Sequence, residues 1–110
     1  MLRDKIIGQD ILKRESVDIG RLGVTIEIRE MTALARAEFQ EMGKQPEIES
    51  RWALMSHCCY DPETGERAFT KEDKKAVISL PADVVDDILS AIYDVNGFGD
   101  KADKALEKNS

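Results

Sequence analysis

Between Ser16 and Glu30 the apolar residues of this chain fall on every second position, and that stretch narrows the possible folds more than any other. Val17 and Ile19 alternate with Ser16 and Asp18; after Gly20-Arg21-Leu22-Gly23, Val24, Ile26 and Ile28 alternate with Thr25, Glu27 and Arg29. Successive side chains of a strand point to opposite faces, so this spacing predicts a β-hairpin over 16–30 with one apolar face. A two-stranded hairpin is marginal in water by itself. It must lie on helices or pair its edges with another chain.

The rest of the chain supplies the helices. Ile6, Ile7, Ile11 and Leu12 predict a lead helix over 3–13, interrupted by Gly8. Thr32 is placed to cap a helix over 32–43 carrying Leu34, Ala35, Phe39 and Met42, with Gly43 at its end. A helix over 46–60 opens with Pro46, Glu47 and Glu49, which suit the first turn, and its expected core stripe is Ile48, Trp52, Met55 and Cys59. A short helix over 71–79 brings in Val77 and Ile78, and Leu80-Pro81 breaks it. The longest amphipathic run, over 81–96, turns Val84, Val85, Ile88, Leu89, Ile92 and Val95 inward and leaves Asp83, Asp87, Ser90 and Asp94 on a solvated face. Asn96-Gly97 stops it, with Phe98 expected to fold back on Tyr93, and 99–110 read as a mobile tail. The expectation is a mainly α, overall α+β fold: one small helical domain over 1–98, about four helices preceded by a β-hairpin.

The joint Asp61–Asp73, DPETGERAFTKED, admits two readings. A twelve-residue calcium loop counted from Asp61 would place Glu63 third and Glu72 twelfth, but its fifth position is Gly65, without a side-chain oxygen, and its sixth is Glu66, where glycine is needed. Plain architecture accounts for every residue. Asp61-Pro62 ends a helix, Thr64-Gly65 turns the chain, and Thr70 with Asp73 forms a variant capping box behind Phe69. The adjacent Cys58 and Cys59 cannot readily form a disulfide with each other, and His57 beside them fans away from both on a helix. They read as small buried thiols in a reducing compartment, with His57 at the surface. No nucleophile constellation, phosphate loop or metal set stands out, so neither enzymatic activity nor a cofactor is expected.

Composition adds exclusions. With 42% apolar and 35% charged residues the chain is too apolar for disorder and too charged for a membrane protein. The first ten residues lack the apolar core of a secretion signal. A net charge of −6 would on average repel nucleic acid. Neither nucleic acid nor membrane is an expected partner.

Taken in order, these landmarks resemble a known family. A short lead helix, a hairpin closing in Ile28-Arg29-Glu30-Met31-Thr32, the joint with Asp61, Gly65, Phe69, Thr70 and Asp73, the Leu80-Pro81 break, Val95-Asn96-Gly97 and Lys108-Asn109-Ser110 are together similar to the tail assembly chaperones of long, non-contractile-tailed bacteriophages. Nearly the whole chain is covered. Relatives often carry Pro and Trp at the hairpin turn; here the turn is Ile19-Gly20-Arg21-Leu22-Gly23, which leaves Leu22 as the candidate for that contact.

The resemblance implies a non-enzymatic assembly factor that coats the tape measure protein and helps recruit tail tube subunits. It would act in the host cell cytoplasm as a homo-oligomer and be absent from the mature virion. Its contact residues, for self-association or for a partner, are expected among Ile7, Ile11, Leu12, Leu22, Val24, Ile26, Ile28, Arg29 and Phe98. The alternative from another class is a small calcium-responsive or adaptor module built around Asp61, Glu63 and Glu72.

Overall fold

The architecture is α+β, with a three-stranded antiparallel sheet packed on helices. The computed structural model describes residues 1–8, 11–42 and 47–97. Its elements are α1 (Leu2–Ile6), β1 (Arg14–Ile19), β2 (Val24–Arg29), α2 (Ala33–Met42), α3 (Glu47–Cys58), β3 (Cys59–Tyr60), a single 3-10 turn (Lys71–Asp73), α4 (Lys74–Ile78) and α5 (Ala82–Val95).

The hairpin pairs Arg14 with Arg29 at one end and Ile19 with Val24 at the other. Val17, Ile19, Val24, Ile26 and Ile28 therefore share one face, as their alternation requires. Only a diagonal band of that face is buried, however. Ile19 and Ile28 are buried, Val17 and Ile26 pack partly against the core, and Val24 is 47% exposed. The reason is the helix behind them: α5 packs against both strands and leaves Val24 uncovered.

All six expected inward residues of α5 are buried, from Val84 to Val95. Each such side chain contributes about 1.5–3 kcal/mol by leaving water. Thr32 caps α2, its Oγ1 accepting the Ala35 N–H at 3.1 Å. Thr70 and Asp73 form the capping box, the Thr70 N–H donating to Asp73 Oδ2 at 2.8 Å. Gly97 closes α5 with φ +74°, a conformation that costs glycine nothing.

Four features depart from the expectation. The lead helix stops at Ile6 instead of running to 13, because Ile7 is extended at φ −93°, ψ 143° and Gly8 follows at φ +82°. Lys13 already belongs to the sheet, accepting the Glu30 N–H at 2.9 Å. The expected 46–60 helix ends at Cys58, since Cys59 and Tyr60 pair with Ile28 and Glu27 as a third strand. The buried face of α3 is Ala53, Leu54, Met55 and Cys58, whereas Ile48 is 41% exposed and Trp52 only half-buried. Finally, the 71–79 segment divides into the 3-10 turn and α4. The expected Gly43 and Pro46 helix ends, the Phe98 contact and the 99–110 tail lie outside the described residues.

Candidate functional surfaces

Local structure separates the expected contact residues it describes into two groups. The first stands at the surface. Ile7 is 59% exposed, Ile11 71% and Leu22 49%; Val24 is likewise exposed, off the diagonal band, and Leu2 and Ile6 are exposed on α1, none of whose residues is buried. Leu12 is half-buried.

The second group belongs to the fold. Ile28 is fully buried, in contact with the core formed by α3 and α5, and cannot meet a partner without unfolding. Ile26 is partly buried against the same core. Arg29 is held on the opposite face of the sheet, its guanidinium 4.0 Å above the Tyr60 ring and paired with Glu27 at 2.9 Å. That stack turns the arginine into a cover for β3. Phe98, the last of the expected residues, falls outside the described residues.

The joint at 61–73 is built from its own hydrogen bonds. Asp61 Oδ1 accepts the Glu63 N–H at 2.8 Å, the Gly65 N–H reaches Asp61 O at 2.8 Å, and Thr64 Oγ1 accepts the Glu66 N–H at 3.2 Å. Gly65 takes φ +75°, as a left-handed turn requires. The Thr70 hydroxyl donates to Glu72 at 2.8 Å, which holds that carboxyl below its ordinary range. Two of the three carboxylates a calcium ion would need, Asp61 and Glu72, are thus directed at a neighbouring backbone N–H and hydroxyl. Among the described residues no cluster of three or more metal-ligating side chains occurs.

Three arrangements were not foreseen from sequence. One is a groove of about 710 Å³ between α2, α3 and the joint, with Trp52, Ala53 and Phe69 as its apolar floor, Glu38 and Glu41 on one rim and Arg67 and Lys71 on the other. His57 sits between the rims, its Nε2 3.6 Å from Glu38 and its Nδ1 3.5 Å from Arg67. Burial, then the nearby Arg67 charge, lower its pKa, so it is neutral at neutral pH.

The second is Asn96, the one polar residue buried among the described residues, whose Oδ1 accepts the Met31 N–H at 2.7 Å while its Nδ2 donates to Ile92 O at 2.9 Å. Its backbone carbonyl accepts Arg36 Nη2 at 3.1 Å. One residue therefore ties the end of β2, the start of α2 and the end of α5 together.

The third is a shallow open shelf of about 510 Å³ beside β2, lined by Gly23 to Ile26, Tyr60 to Glu63 and Ala68. It exists because β3 meets β2 at Glu27 and Ile28 and no further along the strand. At Asp61 the chain turns away, its N–H donating to Glu66 O.

Both cysteines are free and buried. Burial pushes the Cys58 thiol up to about 11, and the Cys59 thiol higher still. The thiolate is the reactive form, so the folded chain should resist thiol reagents at pH 8 and release two reactive groups on unfolding. Stability from the neutral thiols is intact below the ordinary thiol value of 9.0 and lost as pH rises through about 11. Denaturant titrations at pH 8 and pH 10.5, with thiol counting alongside, check both effects.

No known family profile matches the sequence, and no curated protein matches it. Among solved structures, the bacteriophage HK97 tail assembly chaperone superposes with a TM-score of 0.67, covering 86% of this chain and 90% of that one at 17% identity. The chain has the fold of a tail assembly chaperone. At that identity the likeness lies in the arrangement of hairpin and helices.

Proposed function

We propose that this protein is a tail assembly chaperone of a long, non-contractile-tailed phage. It would coat the tape measure protein during tail morphogenesis, help recruit tail tube subunits in the host cytoplasm, and be absent from the finished virion. The observation that carries the reading is the shared fold with the HK97 chaperone, because the ordered sequence landmarks resemble the same family independently of it. A partner-coating role also suits the chemistry. A long helical partner must be covered repeatedly, so a small acidic unit that binds weakly at each contact gains through multivalency.

The groove between α2 and α3 is the surface we assign to the tape measure helix. Its apolar floor of Trp52 and Phe69 matches the apolar stripe of an amphipathic helix, and its opposed acidic and basic rims suit flanking charges of either sign. Co-expression with the tape measure protein of the same phage tests the reading. A soluble complex is expected; a folded chain that leaves the tape measure protein aggregated overturns it.

A further inference from the structure

We propose that the lead segment, residues 2–8 of one copy, docks on the open β2 edge and shelf of a second copy, joining protomers head to tail. The inference rests on the assembly reading only in taking a second copy as the physiological partner. It names the two surfaces that such contact would use.

The lead segment carries apolar area that its own copy does not cover. Leu2 is 73% exposed, Ile6 60% and Ile7 59%, and the backbone of Ile7 is already extended. The sheet holds the chain only from Lys13 onward, whose N–H donates to Glu30 Oε1 at 3.0 Å.

The shelf is the complementary defect. On the β3 side, Val24, Thr25 and Ile26 have no strand partner among the described residues, because the register ends at Glu27 and Tyr60. A strand edge open over three residues, beside apolar Val24, Ile26, Pro62 and Ala68, can accept the extended backbone at Ile7, with α1 laying Leu2 and Ile6 on the shelf's apolar surface. Charge agrees with this placement. Arg3 and Lys5 lie on the lead segment, and Asp61 and the exposed Glu63 line the shelf.

Position in the fold makes the contact intermolecular. The lead segment joins the sheet at the Arg14–Arg29 end and on the β1 edge, whereas the shelf lies at the Val24 end and on the opposite edge of β2. Two different surfaces thus meet, so the contact is heterologous: each added copy presents a new free shelf and a new free lead segment. Growth of that kind can follow an elongated partner.

Paired variants test this. Ile6→Asp with Ile7→Asp disables the lead segment, and Val24→Asp disables the shelf. Glu63→Lys, in the exposed joint, is a second shelf variant whose folding is not at stake. Each protein, checked as folded by circular dichroism, is measured by light scattering behind size exclusion. Wild type should form multimers, each variant alone should run at monomer mass, and a mixture of lead and shelf variants should give a two-chain complex and nothing larger. A monomeric wild type, a variant that keeps the wild-type mass, or a mixture that stays monomeric would overturn the proposal. Failure to solubilise the tape measure protein would count against the chaperone reading alone, because the mass of the isolated chain reports only self-contact.

Discussion

Ile28→Asp is expected to leave the domain unfolded at 25 °C, while Leu22→Asp, six residues earlier in the same hairpin, should fold normally. Ile28 is fully buried and pairs with Cys59, itself fully buried, so a carboxylate there would have neither water nor a cation. Placing an unpaired charge in such a site costs several kcal/mol, against a total stability of about 5–15 kcal/mol for a domain. Leu22 sits on the turn at 49% exposure, and its backbone N–H donates to Ile19 O at 3.0 Å whatever the side chain. Far-UV circular dichroism and thermal melts of the two variants check the contrast. The comparison also decides how assembly defects are read: loss of multimers in Ile28→Asp would report unfolding, and only exposed positions such as Ile6, Ile7 and Val24 report contact.

Asn96→Ala should give the second-largest loss. The substitution removes the acceptor for the buried Met31 N–H, leaving that group unpaired in a site closed to water, while Ile92 O keeps the backbone N–H of residue 96 at 3.0 Å. A buried unpaired group costs about 1–3 kcal/mol. With about 2 kcal/mol lost, a domain of this size should melt about 8–16 °C lower. Ser90→Ala, on the exposed face of the same helix, should change the melting temperature by much less. Differential scanning calorimetry of the three proteins measures the difference directly, and hydrogen exchange at the Met31 amide should accelerate in Asn96→Ala alone.

The parts of this fold that were legible in the sequence are those specified locally. Six apolar residues at helical spacing fix α5, and alternation fixes the hairpin face, because each pattern is satisfied by one face of one element. Thr32, Thr70 with Asp73, and Gly97 declare their ends by capping chemistry. What escaped depends on distant partners. Nothing near Cys59-Tyr60 marks a strand, since the same residues continue a helical run; pairing with Ile28 and Glu27 converts them. Alternation said which face Val24 and Ile28 share, but how far the packed helices reach along that face exposes one and buries the other. Asn96 was fully explained as a helix stop, so its second role toward Met31 left no trace in sequence. In α3 the apolar residues spread around the helix, and the choice of Leu54 and Cys58 over Ile48 and Trp52 follows from where α5 and the sheet lie.

The surfaces divide in the same way. Ile7, Ile11 and Leu22 were legible as apolar residues in excess of one small core, whereas the α2–α3 groove and the β2 shelf arise where elements end short of one another. The joint at 61–73 proved to be built from its own turns and cap, and its main consequence is that it bends the chain away from β2 and opens that shelf.

In the proposed function, the chain keeps a tape measure protein soluble by covering it. The decisive measurement is the soluble fraction and mass of the tape measure protein of the same phage when co-expressed with this chain, with Ile28→Asp as the unfolded control. The expected result is a soluble complex carrying many copies of the chain per tape measure protein, lost with the control. A tape measure protein that stays insoluble beside abundant, folded wild-type chain, or that is equally soluble without it, would contradict the account.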